Sequence, residues 1–287
     1  MPKQLTFGGL RVDCLQTGGD WQSDIPLGCM AFYHPENDKP DMVFNLGIVE
    51  PEEQEKLLFG SDDYASPTYI YQNKSGSFEW VTRKPSGEPG LGFRISPDWS
   101  ECTLYEDKTG TGGADAFREC GSMFAYAALK HHACVLHGVV MEYQGKGVLF
   151  TAASGVGKTT HTRMWRDMEN ALILNGDRCL CRKVDGKWYA YGMPWAGSSG
   201  EYINRRVPLS LIVELERGKD NVIMPVTPFE GTLGLMQRVF APAWPGKLQN
   251  AGFDCCDELA REIPILRYAC RPEPESVKVL KKTVEAI

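Results

Sequence analysis

The sequence predicts an α/β protein with a mixed, twisted sheet and a β-rich N-terminal lobe. Residues 1–112 hold short alternating runs separated by Gly, Pro, Asn and Asp, the pattern of short strands and turns. Residues 113–287 instead alternate strand-sized apolar runs with amphipathic helical stretches. We therefore place the domain boundary at 112/113, in the glycine-rich stretch TGTGG.

Two segments of the N-terminal lobe carry specific structural predictions. The run TYIYQNKSGSFEWVT predicts a hairpin, because alternating residues flank the turn-forming NKSG. Residues 51–60, PEEQEKLLFG, predict one short helix, since proline stands at the start and glycine at the end. No motif in this lobe indicates a chemical activity.

The second domain reads as strands and helices in alternation. Apolar residues at helical spacing predict a first helix in ADAFRECGSMFAYAALKHH. Two strands joined by a QGKG turn follow, in ACVLHGVVMEYQGKGVLFTAAS. The next predictions are a helix in TTHTRMWRDME, a strand pair in NALILNGDRCLCRKVDGKWYAYGMP and a strand in VPLSLIVELER. A helix in GTLGLMQRVFAPAW and a terminal helix in PILRYACRPEPESVKVLKKTVEAI complete the domain.

Composition narrows the classes of function. The formal net charge of -6 makes nucleic acid a poor partner. The longest apolar runs are strand-sized rather than membrane-sized, and MPKQLTFGGLRVDC lacks the apolar core of a signal peptide, so we expect a cytoplasmic protein. The ten cysteines include no pair of C-x-x-C motifs that would bind zinc. We expect reduced, mostly buried thiols, with redox sensitivity at Cys179 and Cys181 as the alternative.

A glycine-rich motif follows the strand GVLF. The residues AASGVGKT, 152–159, match the phosphate-loop pattern G-x-x-x-x-G-K-[ST] except for alanine at the first position. Gly155 and Gly157 permit the curl that aims backbone N–H groups at a phosphate. The predicted phosphate contacts are Ala153, Ser154, Gly155, Val156, Gly157, Lys158, Thr159 and Thr160. The alternative is a structural turn between a strand and a helix.

Two further segments accompany this loop, His137-Gly138 in the preceding strand and Asp177-Arg178 after the helix. Together they resemble the HPr serine kinase/phosphorylase family and its shorter relatives over about residues 115–287. The resemblance implies the P-loop fold that this family shares with ATP-dependent phosphoenolpyruvate carboxykinase. The first 110 residues do not resemble the N-terminal domain of the full-length kinase.

The chain departs from the family at one catalytic position. Where the family has an aspartate pair, this sequence has Gly176-Asp177. The resemblance implies that the first aspartate is the general base and the second arranges the metal and the lysine. Asp177 therefore matches the second role, and the base is missing by position. Phosphoryl transfer survives such a loss where positioning and charge neutralisation dominate; alternatively, Asp177 changes role or Glu201 supplies the carboxylate.

The resemblance implies an ATP- and Mg²⁺-dependent kinase that phosphorylates a hydroxyl, on a serine of a protein or peptide or on a small serine-like molecule. ADP and pyrophosphate stay open as phosphate donors. The predicted catalytic residues are Asp177, His137, Lys158 and Arg206, with Arg205 as an alternative to Arg206, and Thr159 and Asp177 would hold Mg²⁺. For His137 the alternative is a core histidine without a catalytic role. The segment PWAGSSGE, 194–201, predicts a mobile substrate loop, with a plain connecting loop as the alternative.

Three rival functions stay open at this point. They are a nucleotide-binding regulator without turnover, a carboxykinase-type enzyme acting on an organic acid, and a scaffold that retains an unused loop. The family often forms hexamers, so a homo-oligomer is also left open.

Overall fold

The computed structural model describes residues 4–16, 27–35, 38–47, 49–50, 52–61, 67–83, 89–106, 116–244 and 246–287. The backbone divides into two compact units, Met1–Ala127 with Pro242–Gly246, and Ala128–Ala241 with Lys247–Ile287. The boundary predicted at 112/113 lies in 107–115, outside the described residues, and stays a prediction.

The first unit contains an eight-stranded mixed sheet. Strands β2–β3 and β3–β8 pair in parallel, and the other neighbours are antiparallel. The order is β1-β2-β3-β8-β7-β6-β5-β4. The strands are β1 Gln4–Phe7, β2 Leu10–Gln16, β3 Met42–Leu46, β4 Gln54–Ser61, β5 Thr68–Asn73, β6 Phe78–Arg83, β7 Pro89–Ile95 and β8 Glu101–Glu106, followed by helix α1, Ala116–Ala128.

One prediction for this unit is confirmed and another is wrong. The hairpin exists, because β5 and β6 pair antiparallel around a turn with Gly76 at φ +87°. The helix predicted over 51–60 is instead the edge strand β4, paired with β5. Nucleation of a helix is unfavourable, and a helix this short forms few hydrogen bonds to offset it. Pairing with β5 instead gives the backbone N–H and C=O groups of this segment hydrogen-bond partners. Pro51 itself lies outside the described residues.

The second unit contains a second mixed sheet, with the order β10-β9-β12-β13-β14-β16-β15 and β11 beside β9. An additional parallel pairing of β10 with β14 closes the path from β10 through β13 to β14 into a ring of strands. The strands are β9 Ala133–Tyr143, β10 Lys146–Thr151, β11 Leu172–Asn175, β12 Arg178–Val184, β13 Lys187–Tyr191, β14 Arg206–Arg217, β15 Val222–Pro225 and β16 Ile265–Cys270.

Four helices complete the second unit: α2 Lys158–Glu169, α3 Pro228–Met236, α4 Lys247–Glu262 and α5 Pro274–Ala286. The QGKG turn is confirmed, with φ of +51° at Gln144 and +77° at Gly145. The segment predicted as a strand pair forms three strands, β11, β12 and β13, and α3 ends at Met236, before the prolines. Helix α4 was not predicted. Two buried apolar clusters form its core, one around Leu136, Leu149 and Leu259 and one around Phe150 and Trp165.

The parallel strands place one loop at a shared edge. Strands β10, β14 and β16 run in the same direction, so their carboxyl ends meet at one side of the sheet. The chain leaves β10 at Thr151 and re-enters regular structure at Lys158, the first residue of α2. The carboxyl edge of parallel strands is where open α/β sheets present loops to ligands.

All ten cysteines are buried free thiols, which agrees with the expectation of reduced, mostly buried thiols. Burial raises the pKa of Cys14 to about 12, and it raises the pKa of Cys179 and Cys181 as well. The pair proposed for redox sensitivity therefore has protonated, inaccessible sulfurs. Within the residues described, no helix is long and apolar enough to cross a membrane.

Candidate functional site

The loop from Ala152 to Gly157 has the backbone that its glycines predict. Gly155 has φ +75° and Gly157, which precedes the first turn of α2, has φ +122°. A Cβ at either glycine would meet no atom within 4 Å, so the requirement comes from the backbone and not from space. Ala152 has no positive φ, which explains why alanine is accepted at the first position of the pattern.

Lys158 lies at the start of α2 and folds back over the loop. Its ammonium donates to the carbonyl oxygen of Ala152 at 3.0 Å and contacts His137 Nε2 at 3.2 Å. Burial lowers the pKa of Lys158, the positive charge of Arg238 lowers it further, and Asp177 opposes both. The ammonium is thus a partly desolvated charge whose third N–H is free for another acceptor.

His137 connects the lysine to a carboxylate. Its Nδ1 lies 3.3 Å from Asp177 Oδ1, while its Nε2 faces Lys158. An ammonium only donates, so Nε2 is the acceptor, which leaves the ring proton on Nδ1, the nitrogen that faces Asp177. The register of the sheet sets this contact, because Arg178 of β12 is paired with His137 of β9 and the Gly138 amide donates to the Asp177 carbonyl at 2.8 Å.

Asn175 builds the turn that positions Asp177. Its side chain is fully buried and donates to the carbonyl oxygens of Met193 at 2.7 Å and Trp195 at 3.4 Å. Its Oδ1 accepts from the amides of Asp177 at 2.8 Å and Arg178 at 2.7 Å. The sequence shows an asparagine two residues before Asp177, a common turn-forming spacing, but this positioning role was missed.

The segment 196–200 packs against the Asp177 turn. A Cβ at Gly176 would collide with the Ser199 hydroxyl oxygen and lie 2.7 Å from the Ser199 Cβ. A Cβ at Gly197, which has φ +55°, would lie 2.7 Å from the Asp177 carboxyl carbon. The Ser199 hydroxyl donates to Ala196 O at 2.6 Å and accepts from the Glu201 amide at 3.2 Å. The position of the family's first aspartate therefore has no room for a side chain.

These elements enclose a cavity of about 420 Å³, here called the phosphate cavity. It brings together eight of the predicted site residues: His137, Ser154, Gly155, Gly157, Lys158, Thr159, Thr160 and Asp177. Arg163, Gly176, Ser198 and Ser199 complete its lining. The 194–201 segment, for which a plain connection was the alternative, thus contributes two hydroxyls to the same space.

The other two predicted loop contacts, Ala153 and Val156, line a second cavity of about 580 Å³. Its charged groups largely neutralise one another: Arg267 lies 3.4 Å from a Glu214 oxygen and 3.2 Å from a Glu216 oxygen. Burial raises the pKa of Glu214. Arg217 donates to the Gly155 carbonyl at 2.5 Å, which braces the loop from this cavity.

The structure does not bring Arg206 or Arg205 to either cavity. Arg205 pairs with Glu142 at 2.5 Å, and the Arg206 guanidinium lies 4.7 Å from the centre of the Tyr189 ring. Arg206 is the first residue of β14, which runs parallel to β10, so it lies at the opposite end of the sheet from the loop. The assignment of Arg206 to the transferred phosphate is therefore corrected.

Two other arginines lie close to Lys158 or to its cavity. Arg163 of α2 lines the phosphate cavity, and its Nη2 lies 3.2 Å from a Glu201 oxygen. Arg238 carries the charge that lowers the pKa of Lys158, and its carbonyl accepts from the His137 amide at 2.8 Å. Helical spacing from Lys158 could have indicated Arg163, but no local signal indicates Arg238.

Glu201, the alternative source of a carboxylate, is already engaged. One of its oxygens lies 3.2 Å from Arg163 and the other 2.8 Å from Arg166. Glu201 also does not line the phosphate cavity, where Asp177 is the carboxylate. The prediction that Glu201 could replace the missing aspartate has no support in this geometry.

The residues predicted to hold Mg²⁺ both line the phosphate cavity. No group of three or more His, Cys, Asp or Glu side chains in the described residues forms a metal site made by the protein alone. Mg²⁺ commonly takes one or two carboxylates together with substrate phosphates and waters. A hydroxyl from Thr159 and a carboxylate from Asp177 fit that donor set.

The comparisons with known proteins give a distant structural likeness. No protein-family model matches the chain, and no curated protein matches it. Among solved structures, the chain is similar to "Structure of the Hpr(Ser) kinase/phosphatase from Coxiella burnetii", with a TM-score of 0.34 and 10% sequence identity over 53% of this chain and 96% of that chain. Activity and substrate do not transfer at this level of similarity, so function is inferred from the phosphate cavity.

Proposed function

We propose that this protein is an ATP- and Mg²⁺-dependent phosphotransferase acting on a hydroxyl. One observation carries the proposal: a single cavity joins the glycine-rich loop to the Lys158–His137–Asp177 chain. The loop and the first turn of α2 offer backbone N–H groups and the positive end of a helix dipole, which together bind polyphosphate. Lys158 adds a cation and Asp177 a carboxylate in the same cavity.

Each side chain then has a defined task. The Lys158 ammonium binds the outer phosphates, and its reduced solvation strengthens that electrostatic interaction. Thr159 and Asp177 hold Mg²⁺, which neutralises charge on the phosphate oxygens. His137 is a positioning residue, since it fixes the Lys158 ammonium and the Asp177 carboxylate relative to each other. Arg163 adds a second positive charge to the cavity wall.

The missing general base does not exclude turnover. The transition state of phosphoryl transfer is loose in most analyses, so positioning and charge neutralisation contribute more than proton abstraction. The groups that perform those tasks line the phosphate cavity, whereas Ser199 occupies the space that a side chain at position 176 would need. A hydroxyl acceptor can lose its proton late, after the bond to phosphorus has largely formed.

A second candidate is a nucleotide-binding regulator without turnover. The packing of Ser199 against Gly176 favours it, because that contact blocks the position where the family has its base. The two candidates share nucleotide binding and differ in ADP release, which a coupled assay measures directly.

Thermal unfolding of the purified chain with Mg-ATP, Mg-ADP or pyrophosphate tests nucleotide binding. A ligand at about 100 times its Kd should stabilise the fold by about 2.7 kcal/mol. Lys158→Ala should remove the stabilisation. The matched control is Lys146→Ala, whose ammonium bonds the Val284 carbonyl at 3.0 Å and does not line either cavity. No stabilisation by any of the three ligands would overturn the proposal.

A further inference from the structure

We propose that Ser198 is a phosphoryl acceptor within its own chain. The inference rests on the proposed function and names one acceptor for it. Three observations carry it: the packing that holds Ser198 in the wall of the phosphate cavity, the free state of its hydroxyl, and the open side of the turn that carries it.

The first observation is the packing of the segment around Ser198. Residues Gly197–Ser199 form a single 3-10 turn. Gly197 abuts the Asp177 carboxyl group, and Ser199 abuts Gly176 on the other side of Ser198. The turn is thus fixed at both ends against the residues that bear the metal-binding carboxylate. Ser198 enters the cavity from this side and not from the phosphate-binding loop.

The second observation is a difference in hydrogen bonding between the hydroxyls of Ser198 and Ser199. The Ser199 hydroxyl is occupied, because it donates to Ala196 O and accepts from the Glu201 amide. The side chain of Ser198 is exposed, and its hydroxyl makes no hydrogen bond to any described residue. A serine hydroxyl with no structural task, in the cavity that holds Lys158 and Thr159, is available as a nucleophile.

The third observation concerns how closely Ser198 can approach phosphate. Gly197 and Gly200 flank the serines with φ of +55° and +65°. A Cβ at Gly200 would meet no atom within 4 Å, so that side of the turn is not packed. Ser198 itself is exposed, so a bound phosphate can approach its hydroxyl while the contacts of Gly197 and Ser199 stay in place.

The transfer step balances without a further reactant besides the nucleoside triphosphate. Ser198 Oγ forms a bond to the γ-phosphorus, and the bond from that phosphorus to the bridging oxygen breaks with its electron pair leaving on the nucleoside diphosphate. The hydroxyl proton passes late to an oxygen of the transferred phosphoryl group and then to water. No side chain at position 176 is needed for this order of events.

The experiment incubates the full chain with Mg-ATP and follows intact mass and phosphopeptides. The wild type should gain one phosphoryl group, mapped to Ser198. Ser198→Ala should gain none, and Ser198→Thr should carry phosphothreonine formed more slowly, which separates the hydroxyl from the shape of the turn. The control Ser210→Ala, on β14 and outside both cavities, should match the wild type.

Dilution and mixing test whether the acceptor lies in the same chain. The phosphorylation rate per chain should not change on dilution, and a Lys158→Ala chain mixed with the wild type should stay unmodified. A rate that rises in proportion to protein concentration would overturn transfer within the chain.

The outcomes also separate this inference from the proposed function. If Mg-ATP stabilises the wild-type chain and no phosphate appears on Ser198, the inference fails and the proposed function stands. If Mg-ATP gives no stabilisation, the proposed function fails first. Phosphate that maps elsewhere, or that persists in Ser198→Ala, overturns the inference.

Discussion

The buried face of helix α2 carries Lys158, His161 and Trp165, and it uses polar side chains differently in its middle and at its start. In the middle, His161 Nε2 accepts from the Trp165 indole at 3.2 Å, and its Nδ1 lies 3.3 Å from the Ser276 hydroxyl. At the start, Lys158 shares its ammonium with His137 and a loop carbonyl and keeps one N–H free. The middle of the face uses polar groups to fix the helix, whereas its start keeps binding capacity for a ligand.

The two histidines near the loop have different partners. Burial lowers the pKa of His161 to about 4, so this ring is neutral and structural at physiological pH. The side chain of His137 is 34% exposed and joins a cation to a carboxylate. Proximity to the loop therefore does not distinguish them; the chemical identity of their partners does.

The sharpest test of the phosphate cavity is Asp177→Asn. The amide keeps the size of the side chain but removes the charge that would hold Mg²⁺. We expect turnover to fall by about 100- to 1000-fold, the loss seen when one charge-stabilising group is removed. Steady-state release of ADP measures it.

The control for Asp177→Asn is Asp167→Asn near the end of α2, where the exposed carboxylate pairs with Arg166 at 2.9 Å. That substitution should leave turnover unchanged. Equal losses in both variants would mean that the two carboxylates are not distinguished by the cavity.

Gly176→Asp tests the crowded wall of the cavity. The new side chain would collide with Ser199, and overpacking of this kind costs about 1–3 kcal/mol of unfolding free energy. Ser199→Gly removes the colliding atoms, so the double variant should be more stable than the sum of the single effects by about 0.5–3 kcal/mol. Denaturant titration of the four chains gives this coupling energy.

A purely additive result would show that Ser199 does not block position 176. The same double variant also tests whether a carboxylate at position 176 can supply the missing general base. If turnover rises in Gly176→Asp with Ser199→Gly, a carboxylate at 176 can act as the base once space exists.

His161 makes the buried face sensitive to acid. Its folded pKa of about 4 lies below the ordinary value of 6.5, so between these values the unfolded chain binds a proton that the folded chain does not. Stability is therefore lost as pH falls through this window and is unaffected above it. From about pH 7.5 to about pH 5 the loss from this group should be about 2 kcal/mol.

His161→Gln should remove that part of the acid sensitivity, measured as the difference between variant and wild type in denaturant titrations at the two pH values. The glutamine oxygen can still accept from Trp165. Exposed His132 is the control, and His132→Asn should keep the wild-type dependence. A wild-type slope in His161→Gln would contradict the assignment.

Local chemistry made the core of the site predictable from sequence. The positive φ of Gly155 and Gly157, the position of Lys158 at the helix start and the strand-end position of Asp177 all follow from short patterns. The prediction for Arg206 failed because strand direction, and not distance along the chain, decides which sheet end a residue occupies.

Other features depended on contacts between distant segments. The occupation of the space beside Gly176 by Ser199 comes from the return of a loop, and the effect of Arg238 on Lys158 comes from a segment beyond α3. Strand β4 formed where a helix was predicted because β5 offered it pairing. None of these has a signature within a few residues of the position concerned.

The smallest expected effect is that of Arg206→Ala, compared with Arg163→Ala. The sequence indicated Arg206 for the site, whereas the structure places Arg163 in the phosphate cavity. The exposed guanidinium of Arg206 lies over Tyr189, an interaction worth about 0.5–1 kcal/mol at a surface site. Arg206→Ala should therefore lower stability by no more than that and leave the Mg-ATP concentration for half-maximal stabilisation unchanged. Arg163→Ala should raise that concentration by about tenfold, equivalent to about 1.4 kcal/mol of binding free energy. If Arg206→Ala weakens Mg-ATP binding and Arg163→Ala does not, the basic residue of the site is Arg206 and the assignment of Arg163 to Mg-ATP binding is wrong.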